Sequence, residues 1–185
     1  TESTLDHLTG YDGARPVRIG NGAFDQHQHD VWGALLDAVY VHRKALGNRA
    51  NDSDKELIRG MAQAAIDAWP TPDQGIWEAR GDPQHYVSSK LMIWVAVDRA
   101  ARMAHQYGNK DQAEEWDRIA AGFKEELIEK GARDGVFRQH YDTDALDASV
   151  LLMPLVRFLP PDDERMKATI LAVREGLDDQ GMILR

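Results

Sequence analysis

Gln84-His-Tyr-Val-Ser-Ser-Lys-Leu-Met-Ile-Trp-Val-Ala-Val-Asp-Arg-Ala-Ala-Arg-Met-Ala-His-Gln-Tyr107 is the stretch on which the fold turns. Val87, Leu91, Trp94, Val95, Ala96, Val97 and Ala101 leave little polar face in its middle. A helix apolar nearly all round is buried nearly all round. Gly108 closes it. The next segment, Lys110 to about Lys130, is of the opposite kind. Ala113, Trp116, Ala120, Phe123 and Leu127 form one stripe, charges fill the rest, and Gly131 ends it.

This order, an apolar helix and then an amphipathic one, repeats on both sides. Upstream, Gln26 to about Leu46 carries the stripe Val31, Leu35, Val39 and Leu46, with Trp32 and Leu36 beside it, and stops at Gly47 and Asn48. Ser53 or Asp54 caps a second helix whose stripe is Leu57, Met61, Ala65 and Trp69, and Pro70 and Pro72 stop it. Downstream, Leu146 to Leu159 is again very apolar, with a kink or a broken first turn expected at Pro154. Asp162 or Asp163 caps a last amphipathic helix carrying Met166, Ile170 and Val173, which Gly176 ends. Gly135 to Tyr141 reads as a short extended piece, and Met182, Ile183 and Leu184 as an apolar tail before Arg185. The period is roughly 60 residues. The simplest packing sets the apolar helices in an inner layer and the amphipathic ones outside. The expected fold is therefore all-α, an α/α toroid, with about three helical hairpins. Residues 1–25, punctuated by Gly10, Gly13, Pro16, Gly20 and Gly22, read as an extended lead-in, and residues 26–185 as the partial barrel.

Composition narrows the function. A net charge of −9 without any Lys/Arg cluster excludes a nucleic-acid surface. The chain has no cysteine, which removes disulfides, thiolate metal sites and thiol nucleophiles and fits a cytoplasmic protein. No apolar run is long enough to span a bilayer.

The hairpin order gathers the loops that feed the inner helices at one end: residues 21–30, 73–86 and 138–147. They hold Phe24, Asp25, His27, His29, Asp30, Trp77, Glu78, Arg80, His85, Tyr86, Tyr141, Asp142, Asp144 and Asp147. The opposite connectors are short and plain. Carboxylates beside aromatic rings suit a carbohydrate, whose hydroxyls need acceptors and whose apolar faces need flat partners. His27 and His29 do not share a helix face, so capping or packing accounts for them better than a metal does. Ser88 and Ser89 lack the Gly-x-Ser-x-Gly turn of a hydrolase nucleophile. Glu78 beside Trp77 suits a general acid whose pKa an apolar wall would raise. Glycoside hydrolysis needs a second carboxyl group as well, for which Asp30, Asp142, Asp144 and Asp147 are candidates; helix capping explains several of them too.

Three ordered blocks resemble one family. Pro16-Val-Arg-Ile-Gly-Asn-Gly-Ala-Phe-Asp-Gln-His-Gln-His-Asp-Val-Trp-Gly33 is similar to a segment of bacterial glycoside hydrolase family 15. Gly75-Ile-Trp-Glu-Ala-Arg-Gly81, followed by Ser88-Ser-Lys-Leu-Met-Ile-Trp-Val-Ala-Val-Asp-Arg-Ala100, resembles its general-acid region. Leu146-Asp-Ala-Ser149 and Phe158-Leu-Pro-Pro-Asp-Asp163 resemble a third block. The resemblance implies an inverting glycosidase acting on α-glucosidic bonds of a glucan, dextran or trehalose, built on an (α/α)6 barrel and needing no cofactor. It implies Glu78 as general acid, Trp77, Arg80, Lys90 and Asp147 lining the site, and Asp30 near it. His29 stands where bacterial relatives usually carry an apolar residue, and Asp12 where a basic one is common. The family's general base is a Glu in a later block, outside this chain. The isolated chain is thus expected to be inactive and to self-associate through exposed inner-helix surface. A non-catalytic helical scaffold or sugar-binding remnant is the alternative, and a different toroid enzyme such as a sugar epimerase is a third.

Overall fold

The computed structural model describes residues 1–47 and 51–184. Five α-helices carry the fold: α1 (Asp30–Leu46), α2 (Asp52–Ala68), α3 (Val87–Tyr107), α4 (Lys110–Gly131) and α5 (Glu164–Leu177). Three two-stranded antiparallel ribbons punctuate them. β1 (Ser3–Thr4) pairs with β2 (Arg18–Ile19), β3 (Ala132–Arg133) with β4 (Val136–Phe137), and β5 (Asp178–Asp179) with β6 (Met182–Ile183). The architecture is the expected all-α, α/α toroid type in three hairpin units.

α3 is the axis of the structure. Fifteen of its residues are buried, and its polar side chains reach solvent in the last turns, through Arg102, His105 and Gln106. α1, α2 and α4 all pack on it. α1 approaches α3 closely at Gly33, where a Cβ would overlap the backbone carbonyl of Met92. Local chemistry sets the helix ends. Gly47 and Gly108 take left-handed backbone (φ 62° and 76°) and return their N–H groups to the last turns of α1 and α3. α2 begins with a capping box: the Asn51 side chain accepts from the Asp54 N–H, and the Asp54 carboxylate accepts from the Asn51 N–H. The cap is thus Asn51, ahead of the expected Ser53 or Asp54, with Asp54 in the third helical position. Asp163 caps α5, as one of the two expected residues. The expected stop at Asn48 lies outside the described residues, as does the end at Arg185.

Three helical stripes are shifted from expectation. In α1, Val31 and Leu35 are exposed while Leu36 is fully buried, and Trp32, Val39 and Tyr40 pack partly against the core. The side chain of Leu46 is not among those described. In α2, Leu57 is exposed and Ile58, Ala62, Ala65 and Trp69 are buried. In α5, Thr169 is buried and Ile170 lies outside. α1 also begins at Asp30 and not at Gln26, because residues 26–29 are tied to the loop that follows α2.

The third inner element is not a helix with a kink. Residues Ala148–Leu152 form a 3-10 turn, capped by Asp147, and the chain then reverses at Arg157, whose φ is 66°. Pro154 has no N–H with which to continue a helical ladder. The Phe158 N–H instead reaches the Met153 carbonyl at 2.9 Å. Val150, Met153, Phe158 and Leu159 still reach the core, while Leu155 is exposed.

The short ribbons after α4 and α5 share one geometry. Asp134–Gly135 and Gln180–Gly181 both hold two successive positive φ values (52° and 77°, 53° and 87°), the two-residue turn whose twist suits a hairpin. Each ribbon is closed by a matching bond, Arg138 N–H to the Gly131 carbonyl (2.9 Å) and Leu184 N–H to the Leu177 carbonyl (2.7 Å). The extended piece expected from Gly135 and the apolar tail at Met182 are each the second strand of such a hairpin.

Candidate active site

The three loops that feed the inner elements meet at one end, with residues 70–86 in the middle. On one side this loop is bound to the first loop. The Gln74 N–H donates to the His27 carbonyl (3.1 Å), the Gln26 amide donates to the Ala79 carbonyl (2.9 Å), and the His29 N–H donates to the Asp73 carboxylate (2.8 Å). On the other side it is bound to the third loop. The Val87 N–H reaches the Gln139 carbonyl (2.9 Å), the Tyr141 N–H reaches the His85 carbonyl (3.2 Å), and Tyr86 pairs with His140. The opposite end of the molecule is not featureless. A cavity of about 130 Å³ lies there among Lys55, Ile58, Arg59, Tyr107, Asn109, Gln112 and Trp116.

Glu78 closes the turn Gly75–Glu78 and is exposed. Its N–H meets the Gly75 carbonyl at 3.3 Å, and its own φ is 52°. Left-handed backbone costs a side-chain-bearing residue about 1 kcal/mol or more and persists where the surroundings enforce it. Gly75 is required beneath it, since it too has positive φ (68°) and a Cβ there would strike the Tyr86 ring. The apolar wall expected around the Glu78 carboxyl group is not built by these residues, as that group stands open to solvent. Trp77 is 39% exposed, enough to present part of its ring, and its indole N–H is bound to both oxygens of Asp147 (2.9 and 3.1 Å). Arg80 is exposed and lies against Gly22, where a Cβ would meet its guanidinium. Asp30 opens α1 and is half-buried; burial pushes its carboxyl group above the ordinary range, and the charge of Asp73 adds to that.

Lys90 and Asp147 sit beneath this surface. Lys90 is 2% exposed and its ammonium donates to the backbone carbonyls of Trp69 and Thr71 at the end of α2, at 2.9 Å for the latter. A cation there satisfies orphan carbonyls and faces the negative end of the helix dipole. It also lies 5.4 Å from the centre of the Trp69 ring, which stacks on Phe123. Asp142 and Asp144 lie on the surface, Asp144 paired with Arg133 at 2.7 Å. Phe24 and Asp25 are exposed. The His27 and His29 rings are 6.5 Å apart and tilted, and among the described residues no group of three His, Asp or Glu forms a metal cage. Burial lowers His29, His85 and His140.

Asp73 is the residue that sequence reasoning missed. It is 2% exposed and accepts from the His29 N–H and the Ser89 hydroxyl (2.7 Å), while its backbone pairs with Gln84. In Pro72-Asp73 it reads as turn punctuation, and nothing local marks it as buried.

Burial pulls the Lys90 ammonium down to about 8, against the attraction of Asp73 and Glu126. In the unfolded chain it titrates near 10.5. Between these values the unfolded chain holds more protons, so the cost of burying this charge is full below pH 8 and fades as pH rises towards 10.5. The stability of the chain relative to Lys90→Met should therefore rise across that window by up to about 3 kcal/mol. Paired urea titrations at pH 7 and 10 read this difference, and a flat difference would remove the assignment.

Comparison with known proteins agrees with this geometry. The family model for glycosyl hydrolases family 15 matches residues 1–184. The trehalase of Mycobacterium tuberculosis is 49% identical across the whole chain, which covers 27% of that protein. The trehalase of Mycolicibacterium smegmatis is 48% identical, with 28% of it covered, and that of Thermoplasma volcanium 35% identical, with 30% covered. The chain thus spans less than a third of the length of these curated relatives. A glycosidase solved in complex with glucose superposes with a TM-score of 0.78 at 21% identity, over 96% of this chain and 49% of that one. A wild-type glycosidase superposes with 0.74 at 23% identity over the same shares. These two likenesses establish the fold.

Proposed function

The chain belongs to glycosyl hydrolases family 15, and on that premise we propose that it forms part of the catalytic domain of an inverting glycosidase that cleaves trehalose or a related α-glucoside. The observation that carries the substrate is the 49% identity to a trehalase along all 185 residues. The observation that supports the acid is Glu78, displayed on a strained turn where three loops meet.

In this reading the Glu78 carboxyl group gives its proton to the glycosidic oxygen as the C–O bond breaks. A second carboxylate takes a proton from water, which adds to the opposite face of the anomeric carbon. That second carboxylate comes from outside this chain, in keeping with the much greater length of the relatives. Trp77 offers a ring face to the sugar, Arg80 and Asp30 offer a donor and an acceptor, and Lys90 and Asp147 support them from beneath. The surroundings are aqueous, with a cytoplasmic protein as the reading that a cysteine-free sequence supports; among the described residues no helix is long and apolar enough to cross a membrane.

Inversion makes a definite product. Trehalose cleaved this way releases one β-glucose from the attacked unit and one α-glucose from the leaving unit. Proton NMR during the first turnovers should show the two anomers in equal amounts, for this chain within the longest reading frame that encodes it. The 185-residue chain alone should show little or no hydrolysis. Two α anomers would overturn inversion, hydrolysis by the chain alone would overturn the external base, and no hydrolysis of any α-glucoside by either form would favour a non-catalytic scaffold.

The exposed Val31, Leu35 and Val41 of α1 support association of the isolated chain with a second copy. Ala34, Ala38 and Ala45 lie exposed among them and allow close approach, and an antiparallel pairing would set Asp30 of each copy near Lys44 of the other. Sedimentation should show a concentration-dependent dimer that Leu35→Glu abolishes; a monomer at every concentration would refute it.

A further inference from the structure

Asp147 is expected from the sequence to line the sugar site, but the structure gives its carboxylate another task. The residue is 1% exposed. One oxygen accepts the Ser149 N–H at 2.7 Å, which caps the 3-10 turn, and also the Trp77 indole N–H at 3.1 Å. The other accepts the same indole N–H at 2.9 Å, with the Gln139 amide at 3.5 Å. At 1% exposure and with three N–H donors around it, this carboxylate is closed off from a sugar hydroxyl in this chain.

Trp77 is the residue immediately before Glu78, and Glu78 holds a left-handed backbone that local sequence does not favour (φ 52°). The turn is fixed from three sides. Gly75 packs over the Tyr86 ring, the Ala79 carbonyl is held by the Gln26 amide, and the Trp77 indole is held by Asp147 from a loop 70 residues later in the chain. The first two ties anchor the ends of the turn. The Asp147 tie holds the side chain next to the acid, and it connects the turn to the third hairpin unit.

We propose that Asp147 is a positioning residue: it locks the Trp77 indole, and through it the turn that presents Glu78, without touching the substrate. This rests on the reading of Glu78 as the general acid. A misplacement of about 1 Å in such a group costs on the order of 10²-fold in rate, so the effect should fall on kcat and leave KM nearly unchanged.

Two experiments separate the lock from the catalysis. In this chain, the nitrogen–proton spectrum identifies the Trp77 indole signal as the one missing in Trp77→Phe. It should be slow to exchange with solvent. Asp147→Asn, which is isosteric and uncharged, should speed its exchange and shift both that signal and the Glu78 amide. An indole that exchanges freely in the unsubstituted chain, or a Glu78 amide that does not move, would overturn the lock whether or not hydrolysis is found. In the hydrolysing protein, Asp147→Asn and Trp77→Phe should each lower kcat roughly 10- to 100-fold, and the second substitution should add little to the first. Additive losses, or a raised KM with kcat intact, would make Asp147 a sugar ligand instead. If Asp147→Asn fails to fold, Trp77→Phe decides alone: an unchanged kcat overturns the proposal and a reduced one with the same KM upholds it.

Discussion

Gly33→Ala should lower the stability of the chain by about 3 kcal/mol. The position is helical and its backbone is ordinary, so propensity alone would favour alanine by about 1 kcal/mol. Packing outweighs that gain. The added Cβ would overlap the carbonyl oxygen, carbon and Cα of Met92, which belong to a backbone that has no rotamer to change. α1 must then move off α3, and that opens the contact around Leu36, which is fully buried. A typical domain is stable by only 5–15 kcal/mol, so the loss is a large share of the total. Gly60→Ala is the matched control. That glycine is in α2 with no atom within reach of a Cβ, and the same change there should stabilise by about 1 kcal/mol. Urea denaturation of the two variants should move in opposite directions; equal shifts would mean that α1 and α3 do not meet at Gly33.

Within the longest reading frame that encodes this chain, Glu78→Gln should reduce hydrolysis by 10²- to 10⁴-fold, the usual share of a general acid. Glutamine keeps the length and most of the hydrogen bonding of the side chain but has no acidic proton to give. Substrate binding should survive, so the loss belongs in kcat. A substrate that needs no proton on departure separates this role from a general disturbance of the turn. Glucosyl fluoride loses a stable anion, and the variant should process it far better, relative to the unsubstituted protein, than it processes trehalose. Equal losses on both substrates would mean that Glu78 does not act as the acid. Near-normal trehalose turnover in Glu78→Gln would remove it from the chemistry altogether.

The sequence made the inner helix α3 legible because its apolar residues fall on every face, which no surface helix tolerates. It made the clustering of the loops legible for the same reason, since inner and outer helices must alternate. The finer stripes were harder. α1 is apolar on two faces, and pattern alone does not say which of Leu35 and Leu36 goes inward. Apolar content also hid the 3-10 turn: Leu146 to Leu159 has the composition of a buried helix, and the reversal at Arg157 uses a left-handed residue that no glycine announces. Within the site, Trp77, Glu78 and Arg80 could be found because a Trp, a carboxyl group and a guanidinium rarely crowd a connector. Asp73 and the buried duties of Lys90 and Asp147 could not, because they depend on partners far away along the chain.

The two hairpins at Asp134–Gly135 and Gln180–Gly181 share a backbone course although their side chains have little in common. Each turns the chain back after an outer helix through the same pair of left-handed residues, so the form of this joint is written in main-chain torsions. Such joints behave like identical couplings between successive segments. Side chains on one unit can then be exchanged without altering the main-chain turn that leads out of it.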